Sequence, residues 1–91
     1  SFAIQQIYPN PFNPTAYISY ELPEASCVKV KVYDINGREV AILQDGMVEA
    51  GYHTAMFDGS KLASGVYLAK VFIQHENDRP IIKTMKMTLM K

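Results

Sequence analysis

Apolar and polar residues alternate with a period of two along most of the chain, the spacing that sends successive side chains to opposite faces of a strand. Over Thr15 to Leu22, the residues Ala16, Ile18, Tyr20 and Leu22 alternate with Thr15, Tyr17, Ser19 and Glu21. This predicts one face in a core and the other toward solvent, with Pro23 ending the strand. From Ser26 to Asp34 the alternation is cleaner, with Val28, Val30 and Val32 set against Lys29, Lys31 and Tyr33. Asn36-Gly37 then supplies two residues that tolerate positive φ, as a tight hairpin turn requires, and residues 38–43 read as the returning strand. Residues 44–51 contain Asp45-Gly46 and Ala50-Gly51 and read as a connection. Strands follow at 52–57 and 66–74, separated by Asp58-Gly59 and by residues 60–64, which predict one helical turn capped by Asp58 or Ser60. A polar turn at 75–79 and Pro80 lead into a last strand through Ile81, Ile82, Met85, Met87 and Leu89.

No window of helical length sustains apolar positions at helical spacing. With residues 4–8 as an added edge strand, the pattern gives about seven strands, seven or eight in all, at intervals of roughly 8 to 12 residues with turn signals between them. This is the signature of an all-β, antiparallel, immunoglobulin-like β-sandwich, since no crossover helix is present to support a parallel sheet. The inward set predicted from the alternation includes Val28, Val30, Val32, Tyr67, Val71, Met85, Met87 and Leu89.

Length and composition narrow what such a sandwich can do. Ninety-one residues support one core, so residues 1–91 are expected to form a single domain, with 1–7 either a linker or an edge strand. Nine basic residues balance nine acidic ones, which removes the long-range field that a nucleic-acid binder uses. The single Cys27 precludes an intrachain disulfide. No apolar run approaches the roughly 20 residues of a membrane-spanning helix. The chain opens at Ser1 rather than at a methionine, which reads as a piece of a longer protein.

The inventory for catalysis is thin. A nucleophile needs a base within reach, yet His75 falls in a polar turn, His53 at the start of a short strand, and Cys27 has no histidine near it in sequence. Asp34, Asp45, Asp58 and Asp78 all fall in predicted turns, and Asp34-Ile35-Asn36-Gly37 opens like a calcium loop but lacks the later ligands. No catalytic residue, metal site, cofactor or small-molecule substrate is therefore expected. Tyr17 and Tyr33, opposite the aliphatic sets, would form a stacking platform for sugar rings if they lay side by side. Lys29 and Lys31 read as solvated charges on an outward face. Residues 8–14 pack three prolines and two aromatics into seven positions; this predicts a stiff, extended lead-in whose Phe12 plugs one end of the sandwich.

Several blocks, in order, carry a family likeness. They are Tyr8-Pro9-Asn10-Pro11-Phe12-Asn13-Pro14-Thr15, Ile18-Ser19-Tyr20-Glu21-Leu22-Pro23, Val32-Tyr33-Asp34-Ile35-Asn36-Gly37-Arg38-Glu39-Val40, Ala50-Gly51-Tyr52-His53, Phe57-Asp58-Gly59 and Leu62-Ala63-Ser64-Gly65-Val66-Tyr67. Lys83, Lys86-Met87, Leu89 and Lys91 follow a closing Lys-Met-x-Leu-x-Lys pattern. Together they resemble the C-terminal sorting domain of type IX secretion cargo (type A, the Por secretion family), from about Tyr8 to the end. The β-domain of the flagellar hook-capping family is similar but less well matched. Ala16-Tyr17, Met56 and Cys27 depart from the sorting-domain pattern outside its defining blocks.

The resemblance implies an address rather than an enzyme. Such domains end large exported proteins of Gram-negative bacteria, pass through the periplasm in transit, and are recognised by the outer-membrane secretion machinery. A sortase-like peptidase then cuts upstream of the domain, and the covalently linked cargo reaches the cell surface or the medium. By resemblance, Lys86, Lys91, Gly65 and Tyr67 are the residues expected to serve translocon recognition. The competing expectation is an Ig-like adhesion or carbohydrate-binding accessory module of a secreted enzyme. Neither reading involves nucleic acid.

Overall fold

The computed structural model describes residues 3–91. They form β1 (Ala3–Tyr8), β2 (Thr15–Leu22), β3 (Ser26–Asp34), β4 (Glu39–Val48), β5 (Gly51–Asp58), β6 (Gly65–Gln74) and β7 (Ile81–Leu89). One sheet has the order β1-β2-β5 and the other β4-β3-β6-β7, and every pairing between these strands is antiparallel. The sheets pack face to face as the sandwich that the two-residue period predicts. Of the stretch at 1–7, Ser1 and Phe2 lie outside the described residues, and from Ala3 the chain is an edge strand paired with β2.

The core is where the alternation puts it. Ala16, Ile18, Tyr20 and Leu22 of β2 face Val28, Val30 and Val32 of β3 and Tyr67, Ala69, Val71 and Ile73 of β6, all buried, and Met87 and Leu89 of β7 join them. Met85, expected inward, is only partly buried, because β7 is the edge of its sheet. Burying each larger aliphatic or aromatic side chain contributes about 1.5–3 kcal/mol, so this layer supplies most of the favourable free energy of folding.

Four local expectations are corrected. β4 does not stop at Leu43 but runs through Asp45-Gly46, with Asp45 opposite Lys29 and Gly46 opposite Val28. The neighbouring β3 offers a continuous ladder, and two register shifts realign the strands, so pairing overrides the turn preference of Asp-Gly. The β3–β4 turn is wider than a two-residue hairpin. Asp34 Oδ1 accepts from the backbone N–H of Asn36 (2.9 Å) and of Arg38 (3.0 Å), and only Gly37 takes a positive φ, +84°. Residues 60–64 form a turn rather than a helical one: Asp58 Oδ1 caps the N–H of Ser60 at 2.9 Å, and a single bond from Leu62 N–H to the Gly59 carbonyl closes it. Finally, residues 9–14 are bent rather than extended, with cis bonds at Tyr8-Pro9, Asn10-Pro11 and Asn13-Pro14.

Candidate functional site

The segment between β1 and β2 crosses one end of the sandwich and attaches to the free edge of β7. Asn10 behaves there as a piece of strand: its side-chain oxygen accepts from Thr88 N–H at 3.0 Å, and its amide nitrogen donates to the Lys86 carbonyl at 3.0 Å. Phe12 continues the pairing, donating to the Thr88 carbonyl (2.9 Å) and accepting from Met90 N–H (3.0 Å), in a parallel bridge to Leu89. Its ring is 1% exposed and packs 5.7 Å from the ring of Phe57. The expectation that Phe12 plugs the sandwich is met, although the backbone that delivers it is not extended.

Gly59 seals the same end. Its N–H donates to the Pro14 carbonyl at 2.8 Å, and a Cβ there would lie 3.0 Å from Leu89 Cδ2, 3.2 Å from Pro14 O and 3.3 Å from Phe12 Cε2. Close approach, rather than a left-handed φ, is what demands glycine here. The following loop is pinned twice. Tyr67 Oη donates to the Ala63 carbonyl at 2.6 Å, while Lys91 donates from Nζ to the Ser60 carbonyl (2.7 Å) and from its backbone N–H to Ser64 Oγ (3.1 Å). Backbone and hydroxyl hydrogen bonds from Ser60, helped by the charges of Lys61 and Lys91, hold the Asp58 carboxyl below its usual range.

The residues singled out by resemblance are distributed as follows. Gly65 opens β6 opposite Leu89, exposed, and Lys86 stands exposed on β7 opposite Leu68. Lys91 is exposed with its ammonium on the 59–64 loop. Tyr67 is buried, its ring 6.2 Å from that of Phe57; it supports the loop from below and presents no surface of its own. Asp34 pairs with Tyr67, so the 35–38 turn belongs to this end too. Residues 8–14, 35–38, 57–59, 62–67 and 86–91, far apart in sequence, thus converge on one end of the molecule. Asn10, Ser60 and Ser64 belong to this cluster as well. Alternation carries no signal for them, because each acts through a polar side chain or carbonyl in a turn.

The remaining candidates lie elsewhere. At the opposite end His75 donates from Nδ1 to the Ala25 carbonyl (2.9 Å) and pairs through Nε2 with Glu24 Oε2 (2.8 Å). The bond to Ala25 first, and then the charges of Glu24, Glu76 and Asp78, raise its pKa above the usual value. His53 is bonded to the Glu49 carbonyl at 2.6 Å and lies 5.6 Å from the Tyr20 ring, so both imidazoles tie structure together. Cys27 is half-buried on β3 opposite Met47 and Gln74. Among the described residues no group of three or more His, Cys, Asp or Glu side chains is placed to hold a metal ion. Tyr17 and Tyr33 are on different sheets and form no pair. Tyr17 instead stacks on Tyr8, with centroids 5.7 Å apart.

Comparison with models of protein families gives a match. The family model described as the secretion system C-terminal sorting domain matches residues 6–85 of the 91. No curated protein and no solved structure matches the chain.

Proposed function

We propose that this chain, which belongs to the secretion system C-terminal sorting domain family, carries its export address on the end of the sandwich where the sequence blocks converge. Membership already fixes the broad role. The domain is a type IX sorting signal of a family that is not catalytic, it serves a secreted cargo protein handled by the type IX machinery, and its destination is the cell surface or the extracellular space.

The finer reading treats residues 1–91 as one sorting domain, without cofactor, nucleic acid or small-molecule substrate. It passes through the periplasm, docks on the outer-membrane translocon and is severed from its cargo upstream by a sortase-like peptidase. Lys86 and Lys91 supply exposed ammonium groups on the docking surface, Gly65 leaves the adjoining strand start open to close approach, and Tyr67 holds the 59–64 loop in shape beneath them. The convergence of five separated blocks on one end carries this reading. A preformed surface of this kind avoids the ordering cost that a disordered tag incurs on binding.

The test is export of a reporter protein fused upstream of residues 1–91 in a host with type IX machinery. Appearance of reporter outside the cell that depends on the domain supports the reading. Export of the reporter at the same rate without the domain contradicts it.

One observation favours a second role, that of a carbohydrate-binding accessory module. Tyr8 and Tyr17 stack on the outer face of the three-stranded sheet, 41% and 36% exposed, with Met56 beyond them in the same cross-strand row. Rings with this exposure suit the apolar faces of sugars. Binding of soluble glycans that is abolished by Tyr17→Ala would establish it.

A further inference from the structure

The balanced net charge conceals a segregation between the sheets. β1, β2 and β5 carry Glu21 and Asp58 and no lysine or arginine, whereas the larger sheet carries Lys29, Lys31, Lys70, Lys83 and Lys86 on β3, β6 and β7 against Asp34 at the end of β3 and Glu39 and Asp45 on β4. Register arranges most of these lysines on the outer face of the larger sheet. Lys29, Phe72 and Ile82 form one cross-strand row, Lys31, Lys70 and Thr84 the next, and Tyr33, Leu68 and Lys86 the third. Between the first two rows and Tyr33 lies a shallow cavity of about 150 Å³, lined by Lys29, Lys31, Tyr33, Lys70, Phe72 and Ile82.

The charges on this face are unevenly compensated: Asp45 stands opposite Lys29 on β4, whereas Lys70 lies beyond the reach of that strand. Lys31 stands directly opposite Lys70, an arrangement of like charges that disfavours pairing. Lys31 reaches Glu39 at 3.5 Å, and Lys29 holds its ammonium 5.5 Å from the centre of the Phe72 ring. Lys70 is exposed, with no carboxylate within 4.0 Å among the described residues. An anionic group seated here relieves the repulsion between Lys31 and Lys70, and an apolar group beside it covers Phe72, Tyr33 and Ile82.

We propose that this face binds an extended acidic segment of a partner protein, with carboxylates on Lys29, Lys31 and Lys70 and an apolar side chain between them on the Phe72 ring. Charge complementarity selects the class. Same-face side chains of an extended chain stand about 7 Å apart, as Lys29 and Lys31 do along β3, so the carboxylates and the apolar side chain occupy alternate positions of the segment. A polyphosphate or nucleic acid fits less well. The ammonium groups lack the bidentate geometry of guanidinium. The proposal does not rest on the export reading, which shares with this face only Lys86 of the third row.

The experiment is a fluorescence-anisotropy titration of the 91-residue chain with a labelled peptide of Glu-Ser-Phe-Ser repeats, which puts Glu and Phe on one face of the extended chain, beside the same peptide with Gln for Glu, at low and moderate salt. Inorganic phosphate and a short oligonucleotide serve as competitors. The Glu peptide is expected to bind, the Gln peptide to bind at least about tenfold more weakly, and Lys70→Glu to weaken the Glu peptide by at least about tenfold, while Lys61→Glu, away from the face, leaves it unchanged. Lys70 is exposed, and an unchanged melting temperature for Lys70→Glu separates lost binding from lost folding. Equal binding of the two peptides, full binding by a folded Lys70→Glu chain, or displacement by phosphate or oligonucleotide at concentrations below that of the peptide would each overturn the proposal.

Discussion

At the end of the sandwich where β7 finishes, Phe12 fills the opening between the sheets, Asn10 and Phe12 pair with the edge of β7, and Gly59 lets three segments meet without a gap. At the other end nothing comparable is inserted among the described residues. A notch of about 140 Å³ remains between Pro23, Ser26, Ile73, His75, Asp78 and Ile81, and the neighbouring turns are joined by exposed polar contacts, chiefly His75 with Glu24 and Ala25. The two ends thus differ in what fixes their shape. One is fixed by packing and backbone pairing, which tolerate little variation; the other is held by an ion pair near solvent, which contributes little and can be exchanged. A surface that another molecule must read is best built on the first kind, and five of the family-like blocks lie there.

The largest effect expected from breaking this contrast comes from Phe12→Ala. Removing a fully enclosed ring leaves a cavity and should cost about 3–5 kcal/mol, a large share of the 5–15 kcal/mol or so by which such domains are stable. A urea midpoint shifted by the corresponding amount is the check, and a shift no larger than that of a surface substitution would show that the plug is not structural. Gly59→Ala comes next, at about 1–3 kcal/mol, because the added methyl meets backbone oxygen and buried side chains that have little room to move. The same measurement reads it.

Acid and alkali should loosen the two ends separately, and by the smallest amounts. His75 has its folded pKa raised above the usual 6.5, so its contribution is complete below that value and fades as pH rises through the folded one. Asp58 is shifted down from 3.8, so its contribution is complete above that value and is lost as pH falls through the folded one. Amide exchange followed across pH should therefore show the 23–25 and 75–80 turns opening on the alkaline side and the 59–64 loop on the acid side. His75→Gln should remove the first dependence and leave the second.

Much of this was legible from the chain itself, for reasons that differ by element. β2, β3 and β6 face a core on one side only, so their burial follows the two-residue period residue by residue. The far half of β4 is not legible in this way, because Asp45-Gly46 is a turn signal locally and only the β3 ladder, which is not local, makes it strand. The site blocks were readable as blocks, yet their convergence was not. That Asn10 would imitate a strand on the Lys86–Thr88 backbone, or that Tyr67 would turn inward beneath the loop it supports, depends on pairings between residues more than 70 apart in one case and on sheet register in the other. Tyr33 was separated from Tyr17 for the same reason: alternation gives the face of a strand but not the sheet to which the strand belongs.

The account stands most directly on whether the closed end is read as well as built. The decisive measurement is export of a reporter fused upstream of the domain, comparing Lys86→Glu and Lys91→Glu at the closed end with Arg79→Glu at the notched end, each shown to keep its melting temperature. All three side chains are exposed and each substitution changes the charge equally. Export should fall for both lysine variants and stay at the unmodified rate for Arg79→Glu. Unmodified export by the folded Lys86→Glu and Lys91→Glu domains would contradict the account and place recognition on another face of the sandwich.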